Sequence, residues 1–272
     1  MSYFLTSDNV KIYYNQVGSG KAIILIHGWS CSHLHFNNQI EELSKNFKVI
    51  YYDLRGHGIS EIPDYGLTMP RLAIDLKELL EHLSLKDVTL VGWSMGTSII
   101  FDYISQFGCE KLHKLCLIDM TPKVITDDTW NYRSYGNFSC EDNFNKIVRM
   151  SGDWNKFSQY FTPALFSKSG GTDEKLLNWA LNEMLKSSPN AMVRIWISMT
   201  SKNYLNVLKN ISIPTLIIYG EESALYPPEN SEYMNREIPK STVIPFPKCG
   251  HALFLEKPEM FNNKLTKFII KG

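Results

Sequence analysis

The segment Ala22 to Ile26 reads AIILI, apolar at every position and rich in isoleucine. A strand with one face in water alternates polar and apolar side chains. An unbroken apolar run needs cover on both faces, as inside a parallel sheet with helices packed on each side. Val49 to Tyr52, Asp87 to Val91, Leu112 to Ile118 and Pro214 to Gly220 read as further strands of that sheet, Val243 to Phe246 as its last, and the alternating Val10 to Gln16 as an edge strand. Between them the period changes. Met69 to Leu83 carries Leu72, Leu76, Leu79, Leu80 and Leu83 at helical spacing, with Thr68 as N-cap and Pro70 in the first turn. Ser94 to Phe107 reads as an apolar helix and Pro258 to Ile270 as a closing amphipathic one. Strand and helix in alternation predict an α/β fold with a mostly parallel central sheet flanked by helices.

The alternation stops after Ile118. From Thr121 to about Asn206 no β-branched run occurs, while Trp130, Phe138, Trp154, Phe157, Phe161 and Trp196 recur at helical spacings. This reads as an insertion: residues 1–120 and 207–272 form the core, and residues 121–206 a helical cap between two sheet strands. Each of its aromatic side chains is expected to pack the cap's own core, given how much area such rings bury.

Charge narrows the partners. Lys and Arg number 28 and Asp and Glu 28, a formal net charge of zero, with no dense basic block. Nucleic-acid grooves and polybasic membrane surfaces both depend on a cationic field, so neither nucleic acid nor a membrane is an expected partner. The opening MSYFLTSDNVKIYYNQ has neither a basic start nor a continuous apolar stretch, and no apolar run approaches the ~20 residues that span a bilayer. A cytoplasmic location is the expectation. Cys31, Cys109, Cys116, Cys140 and Cys249 are widely spaced and form no CxxC pair, which points away from a disulfide framework or a zinc site. With no strand-linked GxGxxG, no P-loop and no HExxH, neither a cofactor nor a metal is expected.

Gly92-Trp93-Ser94-Met95-Gly96 lies between the strand ending at Val91 and the helix that follows. In that context G-x-S-x-G holds a serine in a strained turn with its hydroxyl lifted clear of the sheet. The glycines are needed because side chains there would strike the adjacent strand and helix. Ser94 is therefore the candidate nucleophile, and the Met95 N–H, at a helix N-terminus, a candidate oxyanion donor. His27-Gly28-Trp29 leaves the sheet at the same edge, where a tight turn aims the Trp29 N–H at the same point; the His27 imidazole is expected to stabilise that turn. A nucleophilic serine needs a base. His251, in Gly250-His251 after the last strand, stands where the chain order serine, acid, histidine requires it. His57 is accounted for by its glycine-rich turn, and His82 and His113 read as solvated.

These motifs, together with Asp53-Leu54-Arg55-Gly56-His57-Gly58 and Glu256-Lys257-Pro258, resemble those of α/β-hydrolase-fold proteins in order and over essentially the whole chain. The HGW and GWSMG pair is similar to carrier-protein methyl esterases and to carboxylesterases labelled cofactor-free haloperoxidases. The resemblance implies hydrolysis of small-molecule carboxylic esters through an acyl-enzyme on Ser94, with His251 as base, Trp29 and Met95 as oxyanion donors and a helical cap over the pocket. Small to medium uncharged esters are the expected substrates.

The sequence departs from the family at the acid. In Gly220-Glu221-Glu222-Ser223-Ala224-Leu225-Tyr226-Pro227, Ser223 stands at the usual aspartate position, and a serine cannot stabilise an imidazolium. Asp119, Glu222 and Glu221 are the available substitutes. Asp119, at the end of the strand Leu112 to Ile118, is preferred because some members of the fold supply the acid from that edge. The segment Ile118 to Lys123 also resembles a subgroup that combines this strand end with a serine in the later loop. With the acid displaced, a receptor that kept the pocket and lost turnover is the alternative reading.

Overall fold

The computed structural model describes residues 2–132 and 137–271. Eight strands form one sheet: β1 (Ser2–Leu5), β2 (Lys11–Val17), β3 (Ala22–Ile26), β4 (Lys48–Tyr52), β5 (Val88–Trp93), β6 (Leu112–Ile118), β7 (Thr215–Gly220) and β8 (Ser241–Phe246). Their spatial order is β1-β2-β4-β3-β5-β6-β7-β8. The pairs β1/β2 and β2/β4 are antiparallel, and every pairing from β4 to β8 is parallel. The unbroken apolar runs take the middle: β5 and β7 are buried at every residue, and β3 from Ile23 onward. The edge-strand expectation for Val10 to Gln16 is corrected. That segment is β2, one position in from the rim, because the short β1 pairs outside it.

Helices cover both faces. In the first half these are α1 (Asn37–Leu43), α2 (Met69–His82) and α3 (Met95–Phe107). Helix α2 buries Leu72, Leu76, Leu79 and Leu80. Thr68 precedes it in extended backbone without a side-chain capping bond, so Pro70 in the first turn is the feature that marks its start. Between β6 and β7 the chain forms α4 (Cys140–Gly152), α5 (Trp154–Phe161), a single 3₁₀ turn over Thr162–Leu165, α6 (Glu174–Leu185), α7 (Pro189–Thr200) and the short α8 (Leu205–Leu208). Among the described residues no strand lies in this stretch, only two isolated bridges. Its four longer helices start on side-chain caps: Ser139 accepts from the Asp142 N–H, Asp153 from Lys156, Asp173 from Lys175 and Ser188 from Ala191. After β7 come α9 (Pro228–Glu237), α10 (Leu253–Glu256) and α11 (Pro258–Ile270). Among the described residues no helix is long and apolar enough to cross a membrane.

Parallel strands bring their carboxyl ends to one edge of the sheet, the edge at which open α/β folds bind ligands. Here that edge receives the turns after β3, β5, β6, β7 and β8, and with them His27-Gly28-Trp29, Ser94, Asp119, Ser223 and His251.

Candidate active site

Ser94 joins β5 to α3 with φ +53° and ψ −120°. A non-glycine residue in this region costs about 1–3 kcal/mol and persists only where its surroundings hold it. The Ser94 N–H donates to the Ile118 carbonyl at 2.9 Å, its own carbonyl accepts from the Thr97 N–H at 2.8 Å, and Thr97 Oγ1 donates to the Gly92 carbonyl at 2.7 Å. A Cβ at Gly96 would stand 2.2 Å from the Ile26 carbonyl oxygen, and one at Gly92 2.6 Å from the Gly96 carbonyl carbon. Helix α3 therefore lies directly on β3 and β5. Gly96→Ala is expected to cost about 1–3 kcal/mol through overpacking, seen as a lower denaturant midpoint; an unchanged midpoint would contradict so close an approach.

The two candidate oxyanion donors flank this serine. Met95 is the first residue of α3, where N–H groups have no acceptor within the helix. Across from it, a Cβ on Gly28 would come 3.3 Å from Ser94 Cβ, so the Gly28-Trp29 turn runs beside the hydroxyl-bearing residue. The Trp29 indole donates to the Met192 carbonyl on α7 at 2.9 Å, and its ring meets Trp154, Phe157, Phe161 and Trp196 edge-on. His27 is fully buried. Its Nε2 accepts from the Leu54 N–H at 3.1 Å, which leaves the proton on Nδ1 to donate to the Gly28 carbonyl at 2.8 Å. One ring nitrogen thus serves the turn itself, and the other ties it to the backbone after β4.

His251 is brought to the edge by a loop packed tightly enough to exclude any side chain at Gly250, where a Cβ would lie 2.5 Å from the Phe166 carbonyl carbon. The Trp93 indole donates to the His251 carbonyl at 3.0 Å, and the imidazole sits between the rings of Trp93 and Tyr226. Glu256 accepts from the Gly250 N–H at 2.7 Å and from the Ser167 N–H at 2.8 Å. Neither contact was read from the sequence, although Trp93 and Glu256 both belong to motifs that were.

The imidazole Nδ1 lies 2.5 Å from Asp119 Oδ2. Asp119 is fully buried at φ +42°, and its carboxylate also accepts from the Ser223 hydroxyl at 2.7 Å and the Gly220 N–H at 3.2 Å. Burial pushes the Asp119 carboxyl up, while the hydrogen bonds from His251, Ser223 and Gly220 draw it back. The other candidate acids stand apart. Glu222 accepts from the Ser167 hydroxyl at 2.5 Å and from the N–H and hydroxyl of Ser169, which hold its carboxyl below the usual range; Glu221 is exposed.

Ser94 and His251 open onto one cavity of about 20 Å³, room for a single water. They are not hydrogen-bonded to each other in this arrangement, and such contacts commonly tighten only around substrate. The cavity wall includes Phe161, Leu165, Trp196 and Met199 from the stretch between β6 and β7. Phe161 and Trp196 therefore line this cavity as well as pack, whereas Trp154 and Phe157 reach it only through their contact with Trp29. Among the described residues no group of three or more His, Cys, Asp or Glu side chains is placed to hold a metal ion.

Residues 21–258 match the family model described as the alpha/beta hydrolase fold. The chain belongs to this family. Over 267 residues it is 30% identical to the AB hydrolase superfamily protein YisY of Bacillus subtilis, with 98% of each chain covered. Within the same family, solved structures similar to it include an esterase, EaEST, of Exiguobacterium antarcticum, with 27% identity, a TM-score of 0.93 and 98% of both chains covered. A bromoperoxidase of Bacillus anthracis is also similar, with 28% identity, a TM-score of 0.91 and coverage of 98% of this chain and 99% of that one.

Proposed function

We propose that this family member is a serine hydrolase that cleaves small to medium carboxylic esters through an acyl-enzyme, with Ser94, His251 and Asp119 as its triad. The observation that carries the reading is the 2.5 Å contact of the buried Asp119 carboxylate with His251 Nδ1, made at the sheet edge where Ser94 stands in its strained turn. The esterase among its structural neighbours supports ester hydrolysis as the reaction class.

With Nδ1–H donating to Asp119, Nε2 is the basic nitrogen. It takes the Ser94 proton as Oγ attacks the ester carbonyl, and the N–H groups of Met95 and Trp29 receive the oxyanion, each donor being typically worth ~3 kcal/mol in the transition state. The imidazolium returns the proton to the departing alkoxide. Water activated by the same nitrogen then attacks the acyl-enzyme, and its proton passes through His251 to Ser94 as the acid leaves. Asp119 keeps the imidazole in the required tautomer and stabilises its cation. Residues 121–206 act in this reading as the cap, since four pocket-lining side chains come from them.

A fluorophosphonate probe is expected to label the protein at Ser94 and to leave Ser94→Ala unlabelled. Wild-type protein that is folded yet unlabelled would overturn the assignment.

A further inference from the structure

The cavity at Ser94 has about 20 Å³, so the body of any ester must lie outside it. A cleft of about 880 Å³, ample for a small-molecule ligand, adjoins it and shares two of its walls, Phe161 and Leu225. We propose that this cleft selects esters whose far end carries a carboxylate, held by Lys146 with Arg149 and Lys168 beside it. The proposal rests on the reading of Ser94 as the nucleophile and replaces the uncharged substrate with an anionic one.

Three observations carry it. First, Lys146 stands at the junction of the two cavities. It lines the cleft, and its ammonium lies 4.9 Å from the Trp196 ring and 5.3 Å from the Phe161 ring, both of which face the Ser94 cavity. Phe138 adds a third ring at 5.0 Å. An acyl chain leaving Ser94 past Phe161 arrives at this ammonium. Second, cations outnumber anions among the described residues of the cleft wall. It holds Lys146 and Arg149 on α4, Lys168 after the 3₁₀ turn, Asp142 on α4 and Glu222 after β7. Asp142 is spent on the Ser139 N–H and hydroxyl at the start of α4, and Glu222 on Ser167 and Ser169. Among the described residues Arg149 and Lys168 form no ion pair. Third, burial lowers the Lys146 ammonium to about 7, and neighbouring Arg149 adds to the effect. A carboxylate arriving there reverses both influences at once, and in a desolvated setting such a pair gains strength and selectivity.

The test compares monoethyl esters of adipic through sebacic acid with ethyl esters of the matching monocarboxylic acids, following acid release. The expected kcat/KM ratio of anionic to neutral ester is about tenfold or more at one chain length. It should fall toward unity in Lys146→Met, survive in Lys146→Arg, and be unmoved by Lys175→Met, an exposed change on α6. Neutral and anionic esters cleaved equally, or a ratio indifferent to Lys146→Met, would overturn the proposal while leaving the hydrolase reading intact. A second readout needs no turnover: Ser94→Ala should bind the favoured monoethyl ester in calorimetry more tightly than its neutral partner by a similar factor. That preference without any turnover in wild type would sink the hydrolase reading and spare the charge selection.

Discussion

Asp119→Asn is expected to give a folded protein whose kcat on a simple ester is reduced about ten-thousandfold, the usual consequence of losing a triad carboxylate. The fold should survive because asparagine tolerates the left-handed φ of +42° better than most residues. Its amide oxygen, in the place of Oδ1, can also still accept from the Gly220 N–H. What it cannot do is hold a proton on His251 Nδ1. An amide turned toward that nitrogen donates instead, fixes the tautomer with Nε2 protonated, and removes the base that Ser94 needs. Glu222→Gln should stay within about tenfold of wild type, a difference of ~1.4 kcal/mol, because that carboxylate is held by Ser167 and Ser169. Steady-state kinetics on both variants, with near-ultraviolet circular dichroism as the fold check, decides. Should Asp119→Asn keep more than a tenth of the wild-type rate, Asp119 is not the acid.

Acid should unfold this protein early. His27, His35 and His57 are fully buried, and burial lowers them from 6.5 to about 3, 4 and 4, with each also facing another charge: His57 beside His27, and Asp53 near all three. These are bases depressed in the folded state. Above pH 6.5 both states hold them neutral and nothing is lost. As pH falls below 6.5 the unfolded chain takes up protons that the folded chain refuses, so stability declines until the folded values are reached. At pH 5 each histidine accounts for about 2 kcal/mol, and the three together for about 6 kcal/mol. That is comparable with the whole stability of a typical domain, about 5–15 kcal/mol. The buried carboxyls of Asp75, Asp119 and Glu256, pushed up by burial, act in the opposite sense as pH falls, so they offset part of the histidine effect. Urea midpoints from pH 6.5 down to 5 should fall steeply, and His57→Leu should flatten the slope by about a third, whatever it costs at neutral pH. A midpoint that stays level down to pH 5 would refute this account.

What the sequence disclosed and what it hid divide along physical lines. Buried parallel strands announce themselves because both faces must be apolar, and the runs at Ala22 to Ile26 and Leu112 to Ile118 match β3 and β6 residue for residue. Strand β1 escaped notice because only Phe4 of its four residues is buried, leaving no period to detect. Helix α9 escaped because PENSEYMNRE buries a single apolar side chain, Met234. At the site, residues carried in strand-end turns were legible since each motif encodes its own geometry. The partners of Glu222 and the aromatic rings beside Lys146 were not. Ser167 lies 55 positions from Glu222, and the rings of Phe138, Phe161 and Trp196 come from separate elements. No local pattern records such long-range company.

The seating of Trp29 bears on how such a protein can change its diet. Its backbone belongs to the turn proposed to receive the oxyanion, while its indole rests on α5 and α7 through Phe161, Trp196 and the Met192 carbonyl. Those helices also shape the cavity at the serine. Substrate range and turnover therefore share one wall. A mutation at Trp196 that makes room for a bulkier acyl group shifts the support under the donor too, so breadth gained there is coupled to speed lost. Leu225, which reaches the cavity from the loop after β7, belongs to a different element. It is the natural first position for a breeder of new specificities who wishes to leave the oxyanion turn at rest.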